Sequence, residues 1–449
     1  MASNYWPNNQ PVQPRAPVAL FIGSSLESIR TTVLPIAKQC QRRYGTNNIL
    51  VGSDLELVPE NLLTDNPRRF IHIFKHRHVM SERPSSHILS PAAPFRLVRE
   101  FNIWKAEASR IIKSTSPSVI FNVKRDQQEV PFLMKYARAH GIPCITILWT
   151  FAGPSHTRKR DVRRSFDAQM AHIPALLRSA RFGRQRASIH VVKTLYQLHG
   201  IPWNNPDIET ARSSMATHFA MPNQSYVRML AGNPAPRGKV VVTGHPEDDL
   251  IASNFRIYRD QANRTRAKRD LGIKDTDYLI TYAREYIPAL SYVKPEHDRA
   301  VMRSVLHTIL SRPDTTVALK LHPKDSLQDY SWVSTEFPDV LIVEQCDLYQ
   351  LIAISDCFIS QGSNTTRWAV LSGVPVILVE FLGLEFATHL KRVLAVSGVS
   401  SETALQTQLN LALSGALGKQ TQLSKDQAGS TDGQAIKRIL GLSGLNASD

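Results

Sequence analysis

Short apolar runs alternate with longer amphipathic stretches along the first half of the chain. The runs are about five residues long and the stretches between them about ten or more, a pattern that predicts a parallel sheet covered by helices. A small polar turn at 23–25 follows the first run, as expected at a strand end. The predicted strands are 18–22, 48–51, 70–74, 117–123, 143–149 and 219–221, with helices over 26–43 and 131–140.

The second half repeats this alternation more regularly. Strands are predicted at 278–282, 316–321, 340–343, 357–360 and 376–380, and helices at 296–311, 348–355 and 365–371. Proline-containing turns at 312–314 and 373–375 separate several of these elements. We therefore predict an α/β chain with two Rossmann-like, doubly wound domains that face a cleft, followed by a C-terminal helix.

The densest cluster of turn residues, at 232–238, sets the predicted domain boundary. It gives a disordered tail at 1–15, a first domain at 16–235 and a second domain at 236–414. Residues 415–449 then form a linker and the terminal helix. Residues 154–200 are basic and mostly helical in pattern, so we interpret them as an insert in the first domain. The apolar run at 239–243 is expected to be the strand that enters the second domain.

The composition is that of a globular protein with excess positive charge. The 449 residues are 42% hydrophobic and 20% charged, which excludes a disordered, collagenous or coiled-coil chain. Lys and Arg number 54 against 38 Asp and Glu, giving a net charge of +16. Basic clusters at 158–164, 178–186 and 256–269 suit a phosphate-bearing substrate or an anionic membrane surface, or are solvated helix faces. No zinc-finger, RNA-recognition or basic-zipper pattern accompanies them, so nucleic acid is the least favoured partner.

The apolar runs at 144–152 and 374–384 are shorter than the roughly 20 residues of a membrane helix. The N-terminal residues lack the basic-then-apolar order of a signal peptide. Four cysteines, at 40, 144, 346 and 357, have neither close pairing nor metal spacing, which is typical of buried thiols in a reducing compartment. We expect a cytoplasmic protein, with basic segments suited to the inner face of a membrane.

Three loops at predicted strand ends carry candidate chemistry, because open α/β sheets bind ligands there. His322 and Lys324 follow one strand and could bind a phosphate, or they form an ordinary His-Pro turn. Arg284 follows another strand, as a phosphate ligand or a surface arginine. The third loop leads into a helix, where free backbone N–H groups favour an anion or the hydroxyl residues simply cap the helix. Its candidate residues are Gln361, Gly362, Ser363, Asn364 and Thr365.

The His-Pro pair at 322–323 and the Gln-Gly-Ser-Asn turn at 361–364 together resemble the C-terminal half of GT-B glycosyltransferases. The likeness is greatest to bacterial sialyltransferases, capsule Kdo transferases and CDP-glycerol glycerophosphotransferases. The stretches KVVVTGHPEDD at 239–249 and AVLSGVPVI at 369–377 fit the same pattern. The resemblance covers roughly residues 215–400, and the first half in layout alone. It implies that His322 and Ser363, with Asn364, hold the donor phosphate. Trp368 departs from it, because relatives that use UDP-sugars commonly place a ribose-binding glutamate there.

The reaction that the resemblance implies is displacement at an anomeric carbon, with a nucleotide phosphate as the leaving group. Negative charge on that phosphate would be stabilised by the helix N-terminus, His322 and Arg284, without a metal. Asp275 and Asp277 have a D-x-D spacing. They precede a strand in a loop of Gly, Lys and Asp, and we interpret them as a turn rather than as metal ligands.

A base that deprotonates the acceptor hydroxyl should come from the first half, across the cleft. The candidates are Asp126, Glu129 and His156, because each lies just beyond a predicted strand. Asp126 could instead pair with Lys124 or Arg125.

We therefore expect a glycosyltransferase or polyol-phosphate transferase of surface polysaccharide, capsule or glycoconjugate biosynthesis. Its donor would be a nucleotide-activated sugar or CDP-polyol, with no further cofactor, and its acceptor a saccharide or a lipid-linked group. One alternative is an enzyme like UDP-N-acetylglucosamine 2-epimerase, which shares the architecture; Trp368 and the basic first half count against it. Another alternative is a non-catalytic module that binds an anionic polymer.

Overall fold

The computed structural model describes most of both halves of the chain. The described residues are 16–23, 28–52, 69–72, 93–123, 130–147, 215–225, 227, 239–258, 260–274, 278–285, 293–322, 325–344, 346–363, 365–383, 387, 390–391, 394 and 395–446. Their strands form two parallel sheets, as the sequence pattern predicts.

The first sheet has seven strands in the order β3-β2-β1-β4-β5-β6-β7. Its strands are β1 (Val18–Ile22), β2 (Asn47–Gly52), β3 (Arg69–His72), β4 (Val119–Asn122), β5 (Cys144–Ile147), β6 (His218–Met221) and β7 (Lys239–Val242). The helices among them are α1 (Leu34–Tyr44), α2 (Ala93–Thr115) and α3 (Val130–Ala139). One π-helical turn, Ile29–Val33, leads directly into α1.

Helices on both faces explain why the central strands read as continuous apolar runs. Four of the five residues of β1 are buried, and Phe21 stacks on Phe121 of β4 with ring centroids 5.1 Å apart. Helix α1 ends at Gly45, whose φ of 61° favours glycine and whose N–H donates to the carbonyl of Gln41. Local sequence and packing therefore agree in this half.

The second sheet has six strands in the order β10-β9-β8-β11-β12-β13. These are β8 (Tyr278–Ala283), β9 (Thr315–Lys320), β10 (Leu341–Val343), β11 (Cys357–Ser360), β12 (Val376–Val379) and β13 (Ser397–Val399). The helices of this half are α4 (Pro246–Tyr258), α5 (Gln261–Asp270), α6 (Pro295–Leu310), α7 (Ser331–Glu336), α8 (Leu348–Ile354), α9 (Thr365–Leu371), α10 (Glu402–Leu413), α11 (Gly418–Ala428) and α12 (Ala435–Gly441).

The first sheet extends further along the chain than the turn cluster at 232–238 suggests. Strand β7 pairs in parallel with β6, with His218 opposite Lys239 and Met221 opposite Val242. The run expected to enter the second domain is thus the edge strand of the first sheet. Turn residues indicate where the chain bends, but tertiary contacts decide which strands pair. The local sequence of β7 is therefore equally compatible with a place in the first sheet or in the second.

The C-terminal segment differs from the expected linker. Residues 418–428 form helix α11, and the last helix, α12, returns to the first domain. Ile439 and Leu440 of α12 are buried in the apolar cluster that holds Phe21 of β1 and Ile36 of α1. A second apolar cluster includes Met221 of the first sheet and Ile251 of α4, together with residues of the second sheet. The two halves therefore share buried contacts.

None of the helices within the described ranges is long and apolar enough to cross a membrane. The four cysteine thiols are unpaired. Cys40, Cys144 and Cys357 are buried, as the sequence suggests, whereas Cys346 is exposed.

Candidate functional site

Three strands of the second sheet bring the predicted loops to one edge. Strand β8 lies between β9 and β11, with Ala283 opposite both Lys320 and Ser360. The Arg284 N–H continues the ladder by donating to the Lys320 carbonyl at 2.9 Å. The strand order also reverses between β8 and β11, which is where doubly wound sheets open a crevice for ligands. The loops that follow β8, β9 and β11 therefore lie at the same edge of the sheet, at the position where such a crevice is expected.

Arg284 is a buried cation that connects two loops and a helix. Its Nη1 donates to Gln361 Oε1 and its Nη2 to Asp298 Oδ2 of α6, both at 2.6 Å. Burial opposes its charge, but the nearby Tyr282, Asp298 and Tyr330 raise the pKa of Arg284 above its ordinary value. The residue is 3% exposed, so it is not a surface arginine. Because both Nη groups are already used, Arg284 orients Gln361, and its direct contact with a phosphate stays a prediction.

The loop after β11 is held by its own hydroxyl groups. Ser360 Oγ accepts hydrogen bonds from the N–H groups of Gly362 and Ser363, each at 3.1 Å. Ser363 accepts from Thr365 N at 3.4 Å through its hydroxyl and from Thr366 N at 3.0 Å through its carbonyl. Gly362 has a φ of 132°, which favours glycine. These N–H groups are therefore satisfied inside the loop, in contrast to the expectation of free backbone donors, because the serine side chains fold back onto them.

The unsatisfied polar groups at this edge are side-chain donors and acceptors instead. Six buried side-chain atoms here have no hydrogen-bond partner in the described part of the chain: Arg284 Nε, Glu285 Oε2, Asp298 Oδ1, Gln361 Nε2, Thr365 Oγ1 and Thr366 Oγ1. Native proteins satisfy nearly all buried polar groups, so such a concentration is unusual. It favours a polar ligand at this edge.

His322 follows β9, and the Gln361 loop follows β11; strand β8 lies between these two strands. Its backbone N–H donates to Asp325 Oδ2 at 3.0 Å, and its carbonyl accepts from Asp325 N at 2.9 Å, so the chain turns sharply after β9. His322 is half-buried. Lys324 and Asn364 lie outside the described residues, so their predicted contacts with a phosphate stay predictions.

Glu247 joins the carboxyl edges of the two sheets. It follows β7, and its Oε1 accepts from the hydroxyl of Thr31, in the π-helical turn, at 3.0 Å. Its Oε2 accepts from the indole N–H of Trp368, on α9, at 3.0 Å. The edge that carries the phosphate candidates therefore faces the first domain. Glu247 was not among the residues predicted from sequence, although an acidic run directly after a strand end is a usable signal.

A second buried contact supports α9 beside Glu247. Asp248 is wholly buried; its Oδ2 accepts a hydrogen bond from Arg367 Nη2, and its Oδ1 lies beside Arg367 Nη1 in an ion pair, each at 2.7 Å. Burial raises the pKa of Asp248, although Arg367 opposes the rise. The helix that begins in the phosphate-loop region is thus tied to α4 by a buried ion pair.

The candidate bases Asp126, Glu129 and His156 lie outside the described residues, as do Asp275 and Asp277 of the D-x-D spacing. Within the described ranges, no group of three or more His, Cys, Asp or Glu side chains is arranged to hold a metal ion. The identity of the base and the role of the D-x-D pair therefore stay predictions.

No family model and no curated protein sequence matches the chain, but solved structures do. A UDP-GlcNAc 2-epimerase from Neisseria meningitidis, bound to UDP-GlcNAc, has a TM-score of 0.59 at 12% identity, over 95% of this chain and 99% of the other. The UDP-GlcNAc 2-epimerase of Methanocaldococcus jannaschii has a TM-score of 0.57 at 12% identity, over 94% and 99%. The glycotransferase of kitacinnamycin has a TM-score of 0.55 at 12% identity, over 96% and 100%. The chain thus has the two-domain α/β fold of the GT-B type, which confirms the predicted fold class.

Proposed function

We propose that the chain is a glycosyltransferase, or a polyol-phosphate transferase, that takes a nucleotide-activated sugar or CDP-polyol as its donor. The observation that carries this proposal is the group of six unsatisfied buried polar atoms at the carboxyl edge of the second sheet. They lie near the point where the strand order reverses between β8 and β11, the place at which doubly wound sheets bind ligands. A nucleotide phosphate offers acceptors for the donors among them.

The donor phosphate would be held mainly by side chains of the loop after β11 and of α9. Gln361 Nε2 and the hydroxyls of Thr365 and Thr366 are buried donors without a partner in the described chain. His322, with Lys324 beyond it, would contribute from the neighbouring turn. A hydrogen bond to a charged phosphate contributes about 1.5–3 kcal/mol, so a few such contacts suffice for specific binding.

With a nucleotide-sugar donor, the bond between the anomeric carbon and the phosphate oxygen breaks, and its electron pair leaves with the phosphate; with a CDP-polyol donor, the bond between the polyol-bearing phosphorus and the bridging oxygen breaks, and CMP leaves with that electron pair. The acceptor oxygen forms the new bond, and its proton passes to a base of the first domain. Preorganised donors lower the barrier because they already point to where negative charge develops. Asp126, Glu129 and His156 are our candidates for the base. The contact of Glu247 with both domains is consistent with an acceptor that approaches from the first domain.

The acceptor we propose is a saccharide or a lipid-linked group of a surface polysaccharide or glycoconjugate. The support is the resemblance to capsule Kdo transferases, sialyltransferases and CDP-glycerol transferases, together with the basic segments of the first half. Positive charge of that kind attracts phosphate-bearing acceptors and anionic membrane surfaces.

A nucleotide panel tests the proposal. Thermal unfolding of the full chain is followed with CMP, CDP and UDP, for the wild type, for His322→Ala and for the control His297→Ala, which removes an exposed histidine of α6. We expect CMP or CDP to stabilise the wild type and the control, but not His322→Ala. Stabilisation by UDP together with epimerisation of UDP-GlcNAc would favour the epimerase alternative. Stabilisation by none of the three nucleotides would overturn the proposal and leave the binding-module alternative.

A further inference from the structure

Glu285 occupies the first position beyond the hydrogen-bonded ladder of β8. Arg284 still donates its N–H to β9, so the strand effectively ends between these two residues. Strand β8 borders the crevice at which the strand order reverses. Glu285 therefore lies at the edge that carries the phosphate candidates, although it was not among the residues predicted from sequence.

One carboxyl oxygen of Glu285 is left unsatisfied by the protein. Its Oε2 is buried, and none of the described residues donates a hydrogen bond to it. Its neighbour Arg284 directs its two Nη groups to Gln361 and Asp298. An unsatisfied buried acceptor is unfavourable, and an ionised one more so, so this oxygen calls for a proton or a ligand.

Two charged groups of the described chain act on Glu285. Burial raises the pKa of its carboxyl group, and Asp325, on the turn after β9, adds to the rise, while Arg284 on its own strand opposes it. A protonated carboxyl group has an O–H donor, whereas a carboxylate has acceptors alone. Beside an anion the protonated form is favoured, since two negative charges repel each other.

We propose that Glu285 is protonated and donates a hydrogen bond from its carboxyl O–H to a phosphate oxygen of the bound nucleotide. This inference rests on the proposed function, since it assumes a phosphate at this edge. Carboxyl groups that an apolar site keeps neutral do serve as hydrogen-bond donors in enzymes. Glu285 would thus be a further phosphate-binding residue, and the affinity for nucleotide would depend on its proton.

Titration calorimetry of the full chain with CMP, CDP and UDP, at about pH 6 and about pH 9, tests this inference. We expect the affinity of the wild type to fall as the pH rises. The fall should be about tenfold larger than in Glu285→Gln, because the glutamine amide donates a hydrogen bond at both pH values. The phosphate of the nucleotide titrates equally in both proteins, so the comparison removes its effect. Glu285→Leu has no donor and should bind about tenfold more weakly at the lower pH. The control Glu296→Gln, at an exposed position of α6, should follow the wild type.

Two outcomes would overturn the inference and leave the proposed function intact. One is the same pH dependence in the wild type and Glu285→Gln. The other is a loss of affinity in Glu285→Gln at both pH values, because it would mean that an ionised acceptor is required. If the wild type binds none of the three nucleotides, the proposed function fails and this inference fails with it.

Discussion

The indole N–H of Trp368 donates to the carboxylate of Glu247, and this bond crosses from the second domain to the end of the first sheet. The ring of Trp368 also packs on Tyr349 of α8, with ring centroids 4.8 Å apart. The other oxygen of this carboxylate accepts from Thr31, so the bond connects α9 through Glu247 of α4 to the first domain.

Trp368→Phe combined with Glu247→Ala should reveal this bond as a coupling energy. Phenylalanine keeps a ring against Tyr349 but removes the N–H donor. A hydrogen bond to a charged group contributes about 1.5–3 kcal/mol, so we expect a coupling of about that size in a double-mutant cycle of urea unfolding, followed by circular dichroism. Trp332→Phe, on α7, is the matched control and should be additive with Glu247→Ala within about 0.5 kcal/mol. Additivity of both pairs would show that the bond contributes no stability.

The strands were predictable because the sheets are parallel and covered on both faces. A buried strand then appears as a short apolar run, and β8 at Tyr278–Ala283 matches the run predicted at 278–282. The helix predicted at 26–43 is α1 with its π-helical turn. Local pattern therefore identified most of the strands and their order, but it did not predict β13 or the helices α2, α4, α10 and α11.

Pairing and burial were not predictable from local pattern. Strand β7 has the same sequence whether it joins the first sheet or the second, and β6 alone decides. Local sequence favours an exposed position for Arg284. Its burial depends on hydrogen bonds to Asp298 and Gln361, which lie 14 and 77 residues further along the chain. The serine hydroxyls of the third loop were identified as capping groups. However, Ser360 Oγ accepts from two N–H groups because of the geometry of the folded loop, and this could not be predicted from the local sequence.

Arg367→Met should destabilise the protein in a pH-dependent way. It removes the partner of a wholly buried carboxylate, and breaking such a pair costs about 3–5 kcal/mol at neutral pH. Burial already raises the pKa of Asp248, and without Arg367 it should rise further. The folded state then holds the proton more tightly than the unfolded state. Stability is therefore greatest at low pH and is lost as the pH rises through the folded-state pKa.

Urea unfolding of Arg367→Met at about pH 5 and about pH 8 measures this effect, with the larger penalty expected at the higher pH. Asp248→Asn in the same background removes the buried charge and should recover part of the loss. The control Arg303→Met breaks an exposed ion pair with Glu336 and should leave the free energy of unfolding nearly unchanged. An equal penalty at both pH values would contradict the assigned role of the Asp248 charge.

Ser360→Ala should weaken nucleotide binding through the loop that it holds. The change leaves the N–H groups of Gly362 and Ser363 without their common acceptor, at a cost of about 1–3 kcal/mol in stability. If the loop positions Gln361 for a phosphate, affinity for the nucleotide found in the panel should fall about tenfold. Ser355→Ala is the matched control. Ser355 is also a buried serine that makes a hydrogen bond, with Thr281, but it precedes the N-terminal end of β11, whereas Ser360 is at the C-terminal end. It should lower stability without changing affinity. Equal affinities of the two variants would separate the loop from nucleotide binding.

Ile439→Ala tests whether the last helix belongs to the first domain. Ile439 lies far from β1 in sequence, yet it is fully buried in the apolar cluster that contains Phe21 and Ile36. Truncation of a buried isoleucine to alanine costs about 2–5 kcal/mol, and the cavity would open beside the first sheet. Hydrogen exchange should therefore accelerate in β1 and β4 more than in β8 and β9. The control is Lys437→Ala, at an exposed position two residues earlier in the same helix. It should leave the amides of both sheets protected. Uniform acceleration across both sheets would mean that α12 acts on the stability of the whole chain, whereas no acceleration would mean that the helix is not part of this core.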